Sequence, residues 1–235
     1  MGDVGLLSRL KRSFLASAGD VVFGMEDGTV SIFGLVFGVA ATTTDSKTVL
    51  IAGASGAVAA AVSMMAGTYL DVETARDAAR RAAAALKAEM RTDARAVLDR
   101  VEARLGRLGL APTTTAAIAE LLRADPTSLE GVATALEAPE PGDGQGPAAQ
   151  ALWMLVADFF AAAIPIVPFV LWPVPQARAV SASVTLVLLV ALGVGRALVG
   201  GRGVVRTVIE TVSIGVAAAL AGVAIGVAIS RAFGA

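Results

Sequence analysis

Apolar residues gather in five stretches of this chain, at about 20–43, 48–70, 150–172, 179–200 and 204–230. Each is near the roughly 20 residues that a helix needs to cross a bilayer. The first two stretches are separated by a polar turn of Thr, Asp and Ser at Thr42–Lys47, and the last two by Gly200, Gly201, Arg202 and Gly203. Between the second and third the pattern changes. Leu86, Met90, Ala94, Val97, Val101, Leu105 and Leu108 recur at steps of three and four, which is the stripe of an amphipathic helix. No Gly or Pro lies between Asp71 and Gly106, so the second span is expected to run on unbroken into this segment until Gly109 and Pro112 end it. Thr115 is expected to cap a short helix through Arg123, which Asp125-Pro126 breaks. Thr127 and Glu130 have capping-box spacing for a third helix to about Glu137, and 138–147 (APEPGDGQGP) is a linker.

The expected fold is an all-α membrane protein of five transmembrane helices, with a cytoplasmic three-helix insert between the second and third. Its parts are an interfacial amphipathic helix over 1–18, transmembrane helices 1–2 over 19–70, insert and linker over 71–149, and transmembrane helices 3–5 over 150–235. The first part rests on Val4, Leu7, Leu10 and Phe14 at helical spacing with Arg9, Lys11 and Arg12 among them. Its apolar run, Phe14–Ala18, is too short for a signal peptide.

Composition agrees and narrows the chemistry. The 235 residues are 56% hydrophobic and 17% charged, with mean hydropathy +0.74, against about 25% charged in a soluble domain. The absence of Cys excludes disulfides, thiolate metal sites and Cys nucleophiles, and the absence of His removes the usual general base. A net charge of −1 gives no reason to bind nucleic acid. Gly53-Ala54-Ser55-Gly56 has the spacing of an intramembrane serine nucleophile, but that chemistry needs a His. The expectation is no enzyme and no cofactor. With the N-terminus inside, all 19 Lys and Arg except Lys47, Arg178 and Arg231 fall on the cytoplasmic side. That places 71–149 in the cytoplasm and the C-terminus outside the cell (inner) membrane.

Ionisable groups inside spans are expensive and are functional candidates. Glu210 is one turn from Arg206, which favours a simple pair. Asp158 fits a structural or a functional role equally. Glu26 and Asp27 are adjacent, flanked by Gly24 and Gly28 and followed by Gly34 and Gly38, glycines that let helices pack closely. Two unpaired carboxylates there would hold protons that a divalent cation displaces. The second span adds Met64 and Met65. Thioether with carboxylate suits a borderline-soft cation such as ferrous iron, although paired Met in a membrane helix are more often packing.

These residues resemble the vacuolar iron transporter family. Residues 19–28 (GDVVFGMEDG) and 33–40 (FGLVFGVA) look like its first span, and 62–70 (VSMMAGTYL) with Arg76-Asp77 like the end of its second. Residues 164–169 (IPIVPF) resemble its third span, which ends in a double-proline turn. The resemblance implies a homodimer that exchanges ferrous iron or manganese for protons and moves metal out of the cytoplasm. It makes Asp27 the metal-carrying aspartate and Met64 the pathway methionine, with Glu26 and Met65 beside them. It also implies an acid-rich, metal-collecting insert. Here the insert departs from the pattern: residues 78–85 (AARRAAAA) replace a run of acids, and only Glu89 and Glu137 fall on metal-binding positions. Arg100, Leu86, Val97, Ala133 and Thr134 occupy others. Two readings follow: a proton-coupled metal exporter, or a non-transporting membrane scaffold whose cytoplasmic bundle binds a protein partner.

Overall fold

The computed structural model describes residues 17–137 and 146–234. The expected interfacial helix and most of the linker lie outside them. Among the described residues there are eight helices. They are α1 (Ala18–Ala40), α2 (Ser46–Arg107), α3 (Pro112–Ala124), α4 (Pro126–Glu137), α5 (Pro147–Ile166), α6 (Pro168–Leu171), α7 (Val174–Gly200) and α8 (Val204–Phe233). Five of them, α1, α2, α5, α7 and α8, are long and apolar enough to cross a membrane. The chain divides into two compact units, Met1–Tyr69 with Gln145–Ala235, and Leu70–Gly144.

In the first unit each helix boundary has a local cause. Asp45 accepts from the backbone N–H of Lys47 and Thr48, at 3.1 Å each, and so caps α2. Those bonds and the Thr48 hydroxyl hold its carboxyl below the usual carboxylate range, the hydroxyl most of all. Pro165 lies inside α5 and Pro168 opens α6, so the third span closes with two missing backbone donors. The Ser181 hydroxyl on α7 donates to the Pro165 carbonyl at 2.8 Å, tying the two helices together where the ladder is weakened. Gly201 has φ +60° and the Arg202 N–H bonds back to the Ala197 carbonyl at 2.9 Å, a Schellman closure of α7.

Helix α1 lies among α5, α7 and α8. Its Ile32, Val36 and Ala40 join Val49 and Ala57 of α2, Ala162 and Ile166 of α5, Phe169 of α6 and Val174 and Ala177 of α7 in one buried cluster. Close approach depends on missing side chains. A Cβ on Gly34 would stand 2.9 Å from the Ala218 carbonyl oxygen, and one on Gly38 2.7 Å from that of Gly222. Gly222 and Gly226 on α8 are equally tight against Gly34 and Gly38. Val187, Leu198, Leu220 and Ile225 are exposed, as lipid-facing residues are.

The second unit corrects three expectations. Helix α2 is not unbroken: Asp93 has φ −149° and ψ 71°, and its side chain accepts from the Ala96 N–H at 2.9 Å, capping a fresh helical start. Thr115 caps nothing; it is inside α3, where its hydroxyl donates back to the Ala111 carbonyl at 3.2 Å, and Pro112 begins the helix. The capping residue of α4 is Asp125, not Thr127. It accepts from the Thr127 N–H at 3.0 Å and the Ser128 hydroxyl at 2.6 Å, while Glu130 pairs with Lys87 at 3.3 Å. The stripe read from the sequence is buried in part: Leu86, Val97 and Val101, joined by Leu98, pack with Ala119, Leu122, Leu129 and Ala133.

Candidate functional site

The adjacent acids of α1 have different surroundings. Glu26 is buried, and its carboxylate accepts from the Arg196 guanidinium of α7 at 3.0 Å and the Thr211 hydroxyl of α8 at 3.2 Å. The expectation of two unpaired carboxylates is therefore corrected. Arg196 was counted with the cytoplasmic turn, yet it reaches back one to two turns from Gly201 to meet Glu26. A long-range i to i+170 pair leaves no periodic trace in the sequence.

Asp27 is half-buried on another side of the same helical turn. Next to it, Gly28 is pressed against Asp158 of α5: a Cβ there would collide with the Asp158 carboxylate and come within 2.7 Å of its backbone oxygen. Asp158 is fully buried. One turn earlier, Gly24 meets the Met154 thioether in the same way. The four glycines singled out from the sequence thus face α5 (Gly24, Gly28) and α8 (Gly34, Gly38) of their own chain. Met64 and Met65 lie half-buried on α2. The structure sets Asp158 against Gly28, the neighbour of Asp27, and joins Glu26 to Arg196 and Thr211.

Glu210 pairs with Arg206 at 3.0 Å, as its spacing suggests, and also with Arg202 at 3.2 Å. Among the described residues no three acids gather as a metal-ion site.

This arrangement of apolar spans around buried acids has known relatives. A profile of the VIT family matches residues 18–227. The chain belongs to the VIT family. A curated relative, the vacuolar iron transporter of Centaurea cyanus, is 27% identical over 228 residues, 92% of each chain. As a VIT family member the protein is a multi-pass integral membrane protein and a metal-ion transporter, not an enzyme, with metal as substrate and no cofactor expected. The two motifs that carried the resemblance in the first two spans lie within the matched region.

The second unit holds the two candidate acids of the insert. Glu89 of α2 and Glu137 of α4 do converge, but on Arg100. The Arg100 guanidinium donates to Glu89 Oε2 at 2.8 Å and to Glu137 Oε2 at 3.1 Å. Arg100 holds the Glu89 carboxyl below its ordinary range, and the two acids push Arg100 further up. A guanidinium lies where these two carboxylates meet. A shallow cleft of about 210 Å³ between Ala82, Ala85, Leu86, Glu89 and Glu137 adjoins it.

Proposed function

We propose that the protein moves a divalent transition metal, ferrous iron and/or manganese, out of the cytoplasm in exchange for protons. The observation that carries this reading is Asp27, a half-buried carboxylate in the first membrane helix of a VIT family protein. An acid at that depth is costly unless it binds something that compensates its charge. A divalent cation and a proton are the two partners a carboxylate can exchange. Asp27 carries the metal, and Met64 supplies a thioether that favours a borderline-soft ion. Met65 and Glu26 flank them, with Glu26 in a supporting role because Arg196 already neutralises it.

In this reading the protein is a homodimer in the cell (inner) membrane. The N-terminus and the 71–149 insert, built on three helices and a linker, face the cytoplasm, and the C-terminus faces out. The distribution of Lys and Arg supports the orientation. The name of the Centaurea relative supports iron. Uptake of Fe2+ or Mn2+ into proteoliposomes under a pH gradient tests the reading. Metal entry that collapses with the gradient is expected, and none under any gradient contradicts it.

One observation favours the second reading, a membrane scaffold. Glu89 and Glu137 are engaged by Arg100, so the insert retains little for collecting metal. Under that reading the bundle serves a protein partner and Asp27 is dispensable.

A further inference from the structure

Met154 and Asp158 sit one turn apart on α5, and both face glycines of α1. Asp158 is 0% exposed, and among the described residues neither of its carboxylate oxygens has a hydrogen-bond partner. Other acids of the spans are answered: Glu26 by Arg196 and Thr211, and Glu210 by Arg202 and Arg206. Those pairs occupy Arg196, Arg202 and Arg206. A buried carboxylate with no donor is the most expensive kind of polar group to keep. Gly28, against which Asp158 is pressed, is the chain neighbour of Asp27. Gly28 is what permits the approach, because any side chain there would displace the Asp158 carboxylate from the α1 backbone.

We propose that Asp158 is the second carboxylate of the cation path, and that a divalent metal in transit is held between Asp27 on α1 and Asp158 on α5. This rests on the transport reading above. Two carboxylates balance a dication, which removes the net charge that the low-dielectric surroundings penalise. The Met154 thioether, a turn from Asp158, adds a soft donor on the same face and biases the site toward transition metals over calcium or magnesium. The donor-free oxygens of Asp158 are then the atoms that would ligate the ion rather than a packing defect.

The test compares wild type, Asp158→Asn, Asp158→Glu and Asp27→Asn as full-length protein. Mn2+ binding in detergent is read by electron paramagnetic resonance, and Mn2+ and Fe2+ flux in proteoliposomes. Asp158→Asn should weaken Mn2+ binding by at least about tenfold and lower flux in step, while the metal-free protein melts no lower than wild type. Asp158→Glu should recover part of both. Wild-type binding and flux in Asp158→Asn, with Asp27→Asn inactive, overturns this inference and leaves the transport reading standing. No flux in wild type itself overturns both. If Asp158→Asn yields no folded protein, Asp158→Glu decides: altered Mn2+ affinity supports the site, and unaltered affinity overturns it.

Discussion

The Arg196 guanidinium on α7 lies 3.0 Å from the Glu26 carboxylate on α1. Thr211 on α8 donates to the same carboxylate oxygen, so three membrane helices meet on one side chain. Removing Arg196 alone leaves Glu26 buried with its charge uncompensated. Arg196→Gln should lower stability by on the order of 1–3 kcal/mol, read as a fall in melting temperature in detergent. Adding Glu26→Gln should restore most of it, because an amide needs no counter-charge there. A double variant as unstable as the single one would show that the pair does not act as a unit.

Helix packing around α1 makes a sharper steric prediction. Gly38→Leu and Gly34→Leu place side chains into the α8 backbone and should wedge the two helices apart, costing roughly 1–3 kcal/mol or more. Gly67→Ala is the control, since nothing lies within 4 Å of a Cβ at that position. Folded yield on gel filtration and melting temperature should fall for the first two and hold for the third.

The spans and their punctuation were legible because a bilayer imposes a length and an apolar composition that few other constraints mimic. The observed α1 and α8, Ala18–Ala40 and Val204–Phe233, lie close to the stretches read from hydropathy. The glycine spacing on α1 signalled close packing, but not which helix fills each gap; that α5 takes Gly24 and Gly28 while α8 takes Gly34 and Gly38 is tertiary information. Where the sequence misled, a short polar side chain had several backbone donors within reach. Asp93 captures the Ala96 amide within a stretch that reads as one unbroken helix, and Asp125 takes the capping role that the spacing suggests for Thr127. Arg196 was the costliest miss, since its partner lies on a helix 170 residues earlier. Asp158 was visible as an intramembrane acid, but its lack of a donor and its contact with Gly28 were not.

The Arg100 clamp predicts a distinctive acid response. Because Arg100 depresses the Glu89 carboxyl below its ordinary 4.5, the stabilisation is full above that value and is lost only as pH falls through the lower one. Melting temperature should therefore show no pH dependence from this group between about pH 5.5 and 8. In Arg100→Gln that depression is removed, so this acid-side loss should vanish and the melting temperature should fall less from neutral to acid pH than in wild type. An acid limb identical in both proteins would mean that the clamp does not hold in solution.

The same clamp bears on transport. With Glu89 and Glu137 occupied by a guanidinium, Glu89→Gln combined with Glu137→Gln should leave metal flux little changed. A large loss of flux would assign these two carboxylates to metal handling in the working cycle.

Asp27 carries the central claim, and metal flux at equal protein per vesicle, wild type against Asp27→Asn, tests it most directly. The amide keeps the shape and polarity of the side chain but neither neutralises a dication nor titrates to return a proton. Glu26→Gln should be milder, since that residue already has its counter-charge, and Met64→Leu should mainly shift the preference among metals. The prediction is strong Fe2+ or Mn2+ flux in wild type and flux at the level of empty vesicles in Asp27→Asn, with expression unchanged. Equal flux in the two proteins would contradict it.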